Sequence, residues 1–187
     1  MGTPINFGWV NSTTPGFATV NCGYVVQTED VSTTGSVISA VGFNGNSSWS
    51  TPNWTNTDGS GSVWACETGG VYALSSSQNL TLFNAADATN PVVNVTLTVT
   101  STTTSEFNTV FQTSVAVPIT TAPITMNVTT GGLANVDPGT TMTLTIQSPS
   151  GNVTVTSGAT VLPSPAAFIS WNLIAQGPYG NVGLVVA

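Results

Sequence analysis

Asn94-Val95-Thr96-Leu97-Thr98-Val99-Thr100 alternates polar and apolar side chains without a break. Successive side chains of a β-strand point to opposite faces, so Val95, Leu97 and Val99 share one face and Asn94, Thr96, Thr98 and Thr100 the other. That period-two stripe defines a half-buried strand rather than a helix. It recurs where Met142, Leu144 and Ile146 alternate with Thr141, Thr143 and Thr145, and again at Ile169, Trp171 and Leu173. Val153 and Val155 follow the turn Ser148-Pro149-Ser150-Gly151, so residues 140–147 and 152–156 are predicted to form a hairpin.

Weaker runs extend the pattern outward. Strands are predicted near 5–10, 18–27, 37–43, 70–77, 80–83, 92–100, 110–118, 124–129 and 140–147, then 152–156, 167–173 and 182–186. β-branched residues dominate them, as a pleated and half-buried surface prefers. No stretch has a helical period. The expected fold is all-β: an antiparallel β-sandwich of the jelly-roll type with about ten strands. Residues 44–61, polar and dotted with Trp49 and Trp54, read as a surface loop. Residues 1–187 read as one jelly-roll domain. Its ends, 1–17 and 175–187, are expected to be extended and to contact an assembly, because they carry Phe7, Trp9, Leu184, Val185 and Val186.

Composition narrows the chemistry. The 187 residues contain no lysine, arginine or histidine and seven acidic residues, for a net charge of −7. Mean hydropathy is +0.27, and apolar residues are spread throughout, so the chain is expected to fold rather than remain disordered. Nucleic acid is excluded as a direct partner, since affinity for phosphates comes mainly from Lys and Arg. Anionic membranes are excluded on the same ground. No apolar run reaches the ~18–20 residues that span a bilayer. The first residues have neither the basic nor the apolar region of a signal peptide.

Catalysis lacks its usual agents. A Ser or Cys nucleophile would have no His or Lys base, and phosphoryl transfer would have no cationic clamp. The acids Glu29, Asp30, Asp58, Glu67, Asp87, Glu106 and Asp137 are dispersed and read as solvated turn residues. No enzymatic activity, metal or other cofactor is expected. Cys22 and Cys66 are a candidate disulfide, with two buried thiols as the alternative. Seven Asn-x-Ser/Thr acceptors occur, at Asn11, Asn46, Asn53, Asn79, Asn94, Asn127 and Asn152. Composition alone gives about five, so they are glycosylation candidates only if the chain meets that machinery.

Three segments resemble one family. Trp64-Ala65-Cys66-Glu67-Thr68-Gly69-Gly70-Val71-Tyr72 is similar to the mid-domain signature of complement globular heads, relatives of tumour necrosis factor, with Gly69 in place of a proline. Val136-Asp137-Pro138-Gly139-Thr140-Thr141-Met142-Thr143-Leu144 resembles the family's late turn and strand, with Thr140 where an acid belongs. Phe168-Ile169-Ser170-Trp171-Asn172-Leu173 resembles its terminal strand. The resemblance covers residues 20–174. It implies a ten-stranded jelly roll that forms a compact homotrimer, with Tyr72 near an apolar threefold interface. Trp64, Phe168 and Trp171 join Tyr72 as interface candidates.

The reading that follows is a structural protein that works by self-association and contact with neighbouring shell or filament proteins. The leading expectation is a virion surface or minor capsid protein, in a spike, cap or cement position. A subunit of an extracellular filament or pilus assembled by strand complementation is the first alternative. A glycan- or receptor-binding trimeric head at the cell surface, with Trp49 and Trp54 as its ligand loop, is the second. Far-UV circular dichroism is expected to show a β spectrum without the minima of a helix.

Overall fold

The structure is a computed structural model and describes residues 22–27, 29–34, 38–43, 54–86, 90–103, 105, 108–148, 152–158 and 167–176. The described residues contain twelve strands and no α-helix. These are β1 (Cys22–Val26), β2 (Val31–Thr34), β3 (Ile38–Ala40), β4 (Trp54–Asn56), β5 (Val63–Cys66), β6 (Gly70–Asn84), β7 (Val92–Thr100), β8 (Thr109–Ala116), β9 (Ile124–Val136), β10 (Thr141–Gln147), β11 (Val153–Ser157) and β12 (Phe168–Gln176).

They form two antiparallel six-stranded sheets. In the first, β6 is the spine. One of its edges pairs with β9 from Gly70↔Val136 to Leu82↔Ile124. Its other edge is shared end to end by β12, opposite Gly70 to Ser77, and β11, opposite Leu80 to Asn84. β1 lies outside β12 and β2 outside β11. In the second sheet β10 plays the same part, with β7 along one edge and β5 and β3 sharing the other. β4 and β8 complete it. The antiparallel β-sandwich expected from the alternation is the observed fold.

The alternation places the core between the sheets. Val95, Leu97 and Val99 of β7 and Met142, Leu144 and Ile146 of β10 all lie within 1% of full burial. Across from them stand Tyr72, Leu74, Leu80 and Leu82 of β6 with Val153, Val155, Ile169 and Trp171. Phe111 of β8 packs toward β9 at the open side of the sandwich. A Cβ added to Gly132 would come 2.5 Å from its ring, so only a glycine leaves room for that aromatic seal.

Four expectations are corrected here. Residues 140–147 and 152–156 do not form a hairpin, because β10 lies in one sheet and β11 in the other. Both strands bury their apolar face, from opposite sides of the core. Residues 70–77 and 80–83 belong to one strand, since Gln78 and Asn79 stay in register with β9 although polar. The predicted loop 44–61 contains β4 and runs up to β5; hydrogen bonds from Phe43 N to Gly61 O and Thr57 N to Val63 O hold it against the second sheet. The last strand runs to Gln176, so the first two residues of the predicted end 175–187 belong to the sheet. The end 1–17 and the strands predicted at 5–10 and 182–186 lie outside the described residues.

Leu97→Ala should cost about 2–5 kcal/mol, the usual result of emptying a packed site. Thr98→Ala, one residue along and facing out, should stay within about 0.5 kcal/mol. Denaturant unfolding of the two variants measures the difference directly.

Candidate self-association surface

The two sheets turn different faces outward. On the second sheet the outward positions of β7 and β10 pair as Thr100 with Thr141, Thr98 with Thr143, Thr96 with Thr145 and Asn94 with Gln147. Ser114 donates to Asn94 Oδ1 at 2.8 Å, and Gln112 bonds both Asn94 and Ser114. This face is a lattice of uncharged hydroxyls and amides, interrupted by Val110 of β8, 61% exposed opposite Thr98, and by Val92 at the start of β7, 40% exposed.

The outward face of the first sheet is more apolar. Tyr24 of β1 and Phe168 of β12 meet edge to face at 6.4 Å, and both are half-buried. Val71 and Ala73 of β6 lie between Leu133 of β9, 64% exposed, and Ile174, the extra residue of the β12 bulge, 57% exposed. Leu133 sits directly opposite Ala73. Exposed aliphatic and aromatic residues grouped on one face make it the candidate contact surface.

Among the described residues each sheet has a strand paired on one side only at both borders, β1, β2 and β9 in the first and β3, β4 and β8 in the second, and of these β8 and β9 face each other. β8 pairs only with β7 and β9 only with β6. Thr113 Oγ1 donates across to Thr129 O at 2.8 Å. Beside that bond runs an open groove of about 490 Å³ lined by Val110, Phe111, Gln112, Thr129 and Gly131, among others.

The three segments that carry the family resemblance meet at one end of the sandwich. Cys66 N donates to Thr140 O and Gly139 N to Cys66 O, at 2.8 and 2.7 Å. The Trp64 ring lies 5.8 Å from that of Trp171. Tyr72 O–H donates to Thr68 O at 2.8 Å. Segments more than a hundred residues apart therefore build one cluster, joined by main-chain bonds and aromatic contacts.

This arrangement corrects several site expectations. Tyr72 is 0% exposed and Trp171 2%, so both face the core and offer no surface to a neighbour. Trp64 is half-buried, opposite the inward Met142, and its Nε1 donates to Gly61 O. Of the four interface candidates only Phe168 turns outward. Trp54, 2% exposed, stacks edge to face on Tyr72 at 5.6 Å, which removes it from any ligand loop. Trp49 lies outside the described residues. Cys22 and Cys66 are not joined in a disulfide and lie on strands of opposite sheets.

Among the acceptors, Asn79 is 0% exposed and accepts a hydrogen bond from Asn127 Nδ2 at 2.9 Å, so it is closed to a glycan. Asn127 and Asn152 are exposed, and Asn94 lies on the hydroxyl face. Asn11, Asn46 and Asn53 are outside the described residues. Among the described residues no three His, Cys, Asp or Glu side chains gather as metal ligands, and no helix is long and apolar enough to cross a membrane.

Hydroxyls replace cations as partners of the acids. Burial pushes the Asp137 carboxyl up, but the hydroxyls of Thr103, Thr140 and Ser101 and its own backbone amide outweigh it and hold it below the ordinary value. At Asp58 a slight burial is likewise outweighed by Ser60 and Ser62, which with the amides of Val63 and Ser60 hold the group at about 2. Burial pushes the Cys66 thiol up, ahead of the opposing bonds to Tyr72 and Thr68. Burial also pushes the Tyr72 phenol up, and its contact with Cys66 adds to this.

No protein-family profile and no curated protein matches the chain. Solved structures do. Murine APRIL, a tumour-necrosis-factor-family protein, determined at pH 8.5 and at pH 5.0, matches with a TM-score of 0.54 and 12% identity in both cases. Each match covers 83% of this chain and 99% of the other. The likeness establishes the fold, a jelly roll of the tumour-necrosis-factor type.

The shifts set a pH profile. A carboxyl with a depressed folded pKa stabilises above its unfolded value, near 4, and that stability is lost as pH falls through the folded value. A thiol or phenol with a raised pKa stabilises below its unfolded value and loses this as pH rises. Thermal unfolding should therefore be flat from about pH 5 to 8, where histidine would otherwise titrate. It should weaken below about pH 4 and above about pH 8.5. Asp137→Asn should flatten part of the acid limb.

Proposed function

We propose that the chain is a non-catalytic structural jelly roll that acts by forming a homotrimer on the surface of a larger assembly, most plainly a virion, in a spike, cap or cement position. The observation that carries this is the inequality of the two outward faces. Leu133, Ile174, Val71, Ala73, Phe168 and Tyr24 are grouped on the first sheet, whereas the second turns out a Thr, Ser, Asn and Gln lattice broken only by Val92 and Val110 among the large exposed side chains. Association buries the first face and leaves the second in water. Removing one large aliphatic side chain from water contributes roughly 1.5–3 kcal/mol. With so few charges, little repulsion opposes the contact.

The resemblance to trimeric heads supports three copies rather than two, and a chain without cleavable basic residues or reactive amines suits an exposed particle surface. The open edges of β8 and β9 favour a second reading, a filament subunit whose neighbour adds a strand at one of them. The burial of Trp54 takes one ring from the proposed glycan loop. The likeness to a tumour-necrosis-factor-type fold supports the glycan- or receptor-binding trimeric head as a further reading, through its receptor-binding half.

Light scattering coupled to size exclusion should give the mass of a trimer at micromolar concentration. Leu133→Asp with Ile174→Asp should give a monomer that keeps its β spectrum and unfolding temperature. A monomeric parent chain overturns the self-association reading. A monomeric parent that elongates into fibres when concentrated supports the filament. Electron microscopy of native material separates particle from fibre.

A further inference from the structure

Four aromatic side chains run in unbroken contact through the core. The Trp64 ring lies 5.8 Å from Trp171, Trp171 lies 6.3 Å from Trp54, and Trp54 lies 5.6 Å from Tyr72. Tyr72 Oη then receives a weak hydrogen bond from Cys66 Sγ at 3.6 Å. Trp54 and Trp64 come from one sheet and Trp171 and Tyr72 from the other, so the series crosses between the sheets three times.

Packing explains why aromatic rings touch, but not how their polar atoms are distributed along the series. The two end members have acceptors: Trp64 Nε1–H donates to Gly61 O at 2.9 Å, and Tyr72 O–H donates to Thr68 O at 2.8 Å. The two middle members, Trp171 and Trp54, are each 2% exposed, and their Nε1–H groups have no partner. A buried N–H without an acceptor is uncommon and costs stability. In redox terms it has a definite effect. An indole that loses an electron is stabilised by shedding its Nε1 proton, and Trp171 and Trp54 have nowhere to send it.

We propose that Trp64, Trp171, Trp54 and Tyr72 form a one-electron relay, in which an oxidising hole made at Trp64 passes through the two proton-locked indoles and comes to rest on Tyr72. Electron tunnelling falls off steeply with distance, and rings in contact are within easy reach at every step. A one-electron oxidant, such as the azide radical, takes an electron from Trp64 and becomes azide ion. The oxidised Trp64 keeps its Nε1 proton on Gly61 O. An electron then moves from Tyr72 through Trp54 and Trp171 to Trp64, which is restored. Oxidised Tyr72 is a strong acid and gives its hydroxyl proton up to water past the half-buried Thr68, whose carbonyl holds the hydrogen bond but takes no proton itself. The sum is one electron from Tyr72 to the oxidant and one proton to water, with Trp64 restored.

The relay stands apart from the proposed self-association, because all four rings pack inside one chain. Its test is pulse radiolysis with azide radical of the full chain carrying Trp9→Phe, Trp49→Phe, Tyr24→Phe and Tyr179→Phe. That leaves the three contacting tryptophans and one tyrosine. The tryptophanyl absorption should decay into tyrosyl absorption with a first-order rate independent of protein concentration. Adding Tyr72→Phe should abolish the tyrosyl signal. Adding Trp171→Phe, which cuts the series in the middle, should slow the transfer at least tenfold in a chain shown by circular dichroism to be folded. If that variant does not fold, Trp54→Phe cuts the next link and carries the same expectation. A transfer rate unchanged by the cut, a rate proportional to protein concentration, or no tyrosyl signal in the parent overturns the proposal.

Discussion

The first sheet, and with it one wall of the core, is registered on a single strand. β6 runs for fifteen residues, and β9 follows thirteen of them in unbroken antiparallel pairing. Because side chains alternate along a strand, that register sends Tyr72, Leu74, Leu80 and Leu82 inward together. A slip of one residue would turn Leu133 and Val71 into the core and Tyr72 out of it. β12 and β11 complete the other edge, leaving Gln78 and Asn79 opposite the gap between them. There Gly158 N donates to Asn79 O at 3.2 Å, and Ser157 Oγ bonds both Gln78 Oε1 and Gln27 Oε1. Neutral amides and one hydroxyl close a break that would otherwise leave buried polar groups unpaired.

The same device recurs wherever an ordinary protein would place an ion pair. Asp137, 0% exposed, is held by the hydroxyls of Ser101, Thr103 and Thr140. Asp58 is held by Ser60 and Ser62. Charge-assisted bonds to hydroxyls are stronger than neutral ones, and a chain rich in Ser and Thr has them to spare. Absence of cations is therefore no handicap to folding. It does fix where stability depends on pH, since among side chains only carboxyls on one side and two thiols and three phenols on the other can titrate.

Much of the fold was legible because its signal is local. The alternation at 94–100 and 141–146 needs no knowledge of the rest of the chain, and it correctly named the buried members of β7 and β10. The polar run Ser75-Ser76-Ser77-Gln78-Asn79 defeated the same reasoning. It looks like a break between strands, yet Ser76 to Asn79 are all buried, because β9, β11 and β12 surround that part of β6. The hairpin at 148–151 was misread for a related reason. A turn sequence says that the chain reverses, not whether it returns to the same sheet or crosses the core. The interface candidates failed in part because aromatic residues in a signature were equated with surface, when Tyr72, Trp171 and Trp54 join the two sheets from within.

Sequence by itself determined that this is an all-β, sparsely charged chain with two-faced strands, no basic side chain and none of the usual agents of catalysis. Those properties belong to single residues and their neighbours, and no packing can change them. Tertiary structure alone decided which apolar residues stay in view. Leu133 and Leu74 are the same residue type on paired strands, but one is 64% exposed and the other 2%, because they fall on opposite faces of one sheet. It also brought Trp64, Trp54, Tyr72 and Trp171 together and kept Cys22 from Cys66. The physical reason is that contact between distant segments is set by strand register and sheet order, and these depend on how the whole core closes.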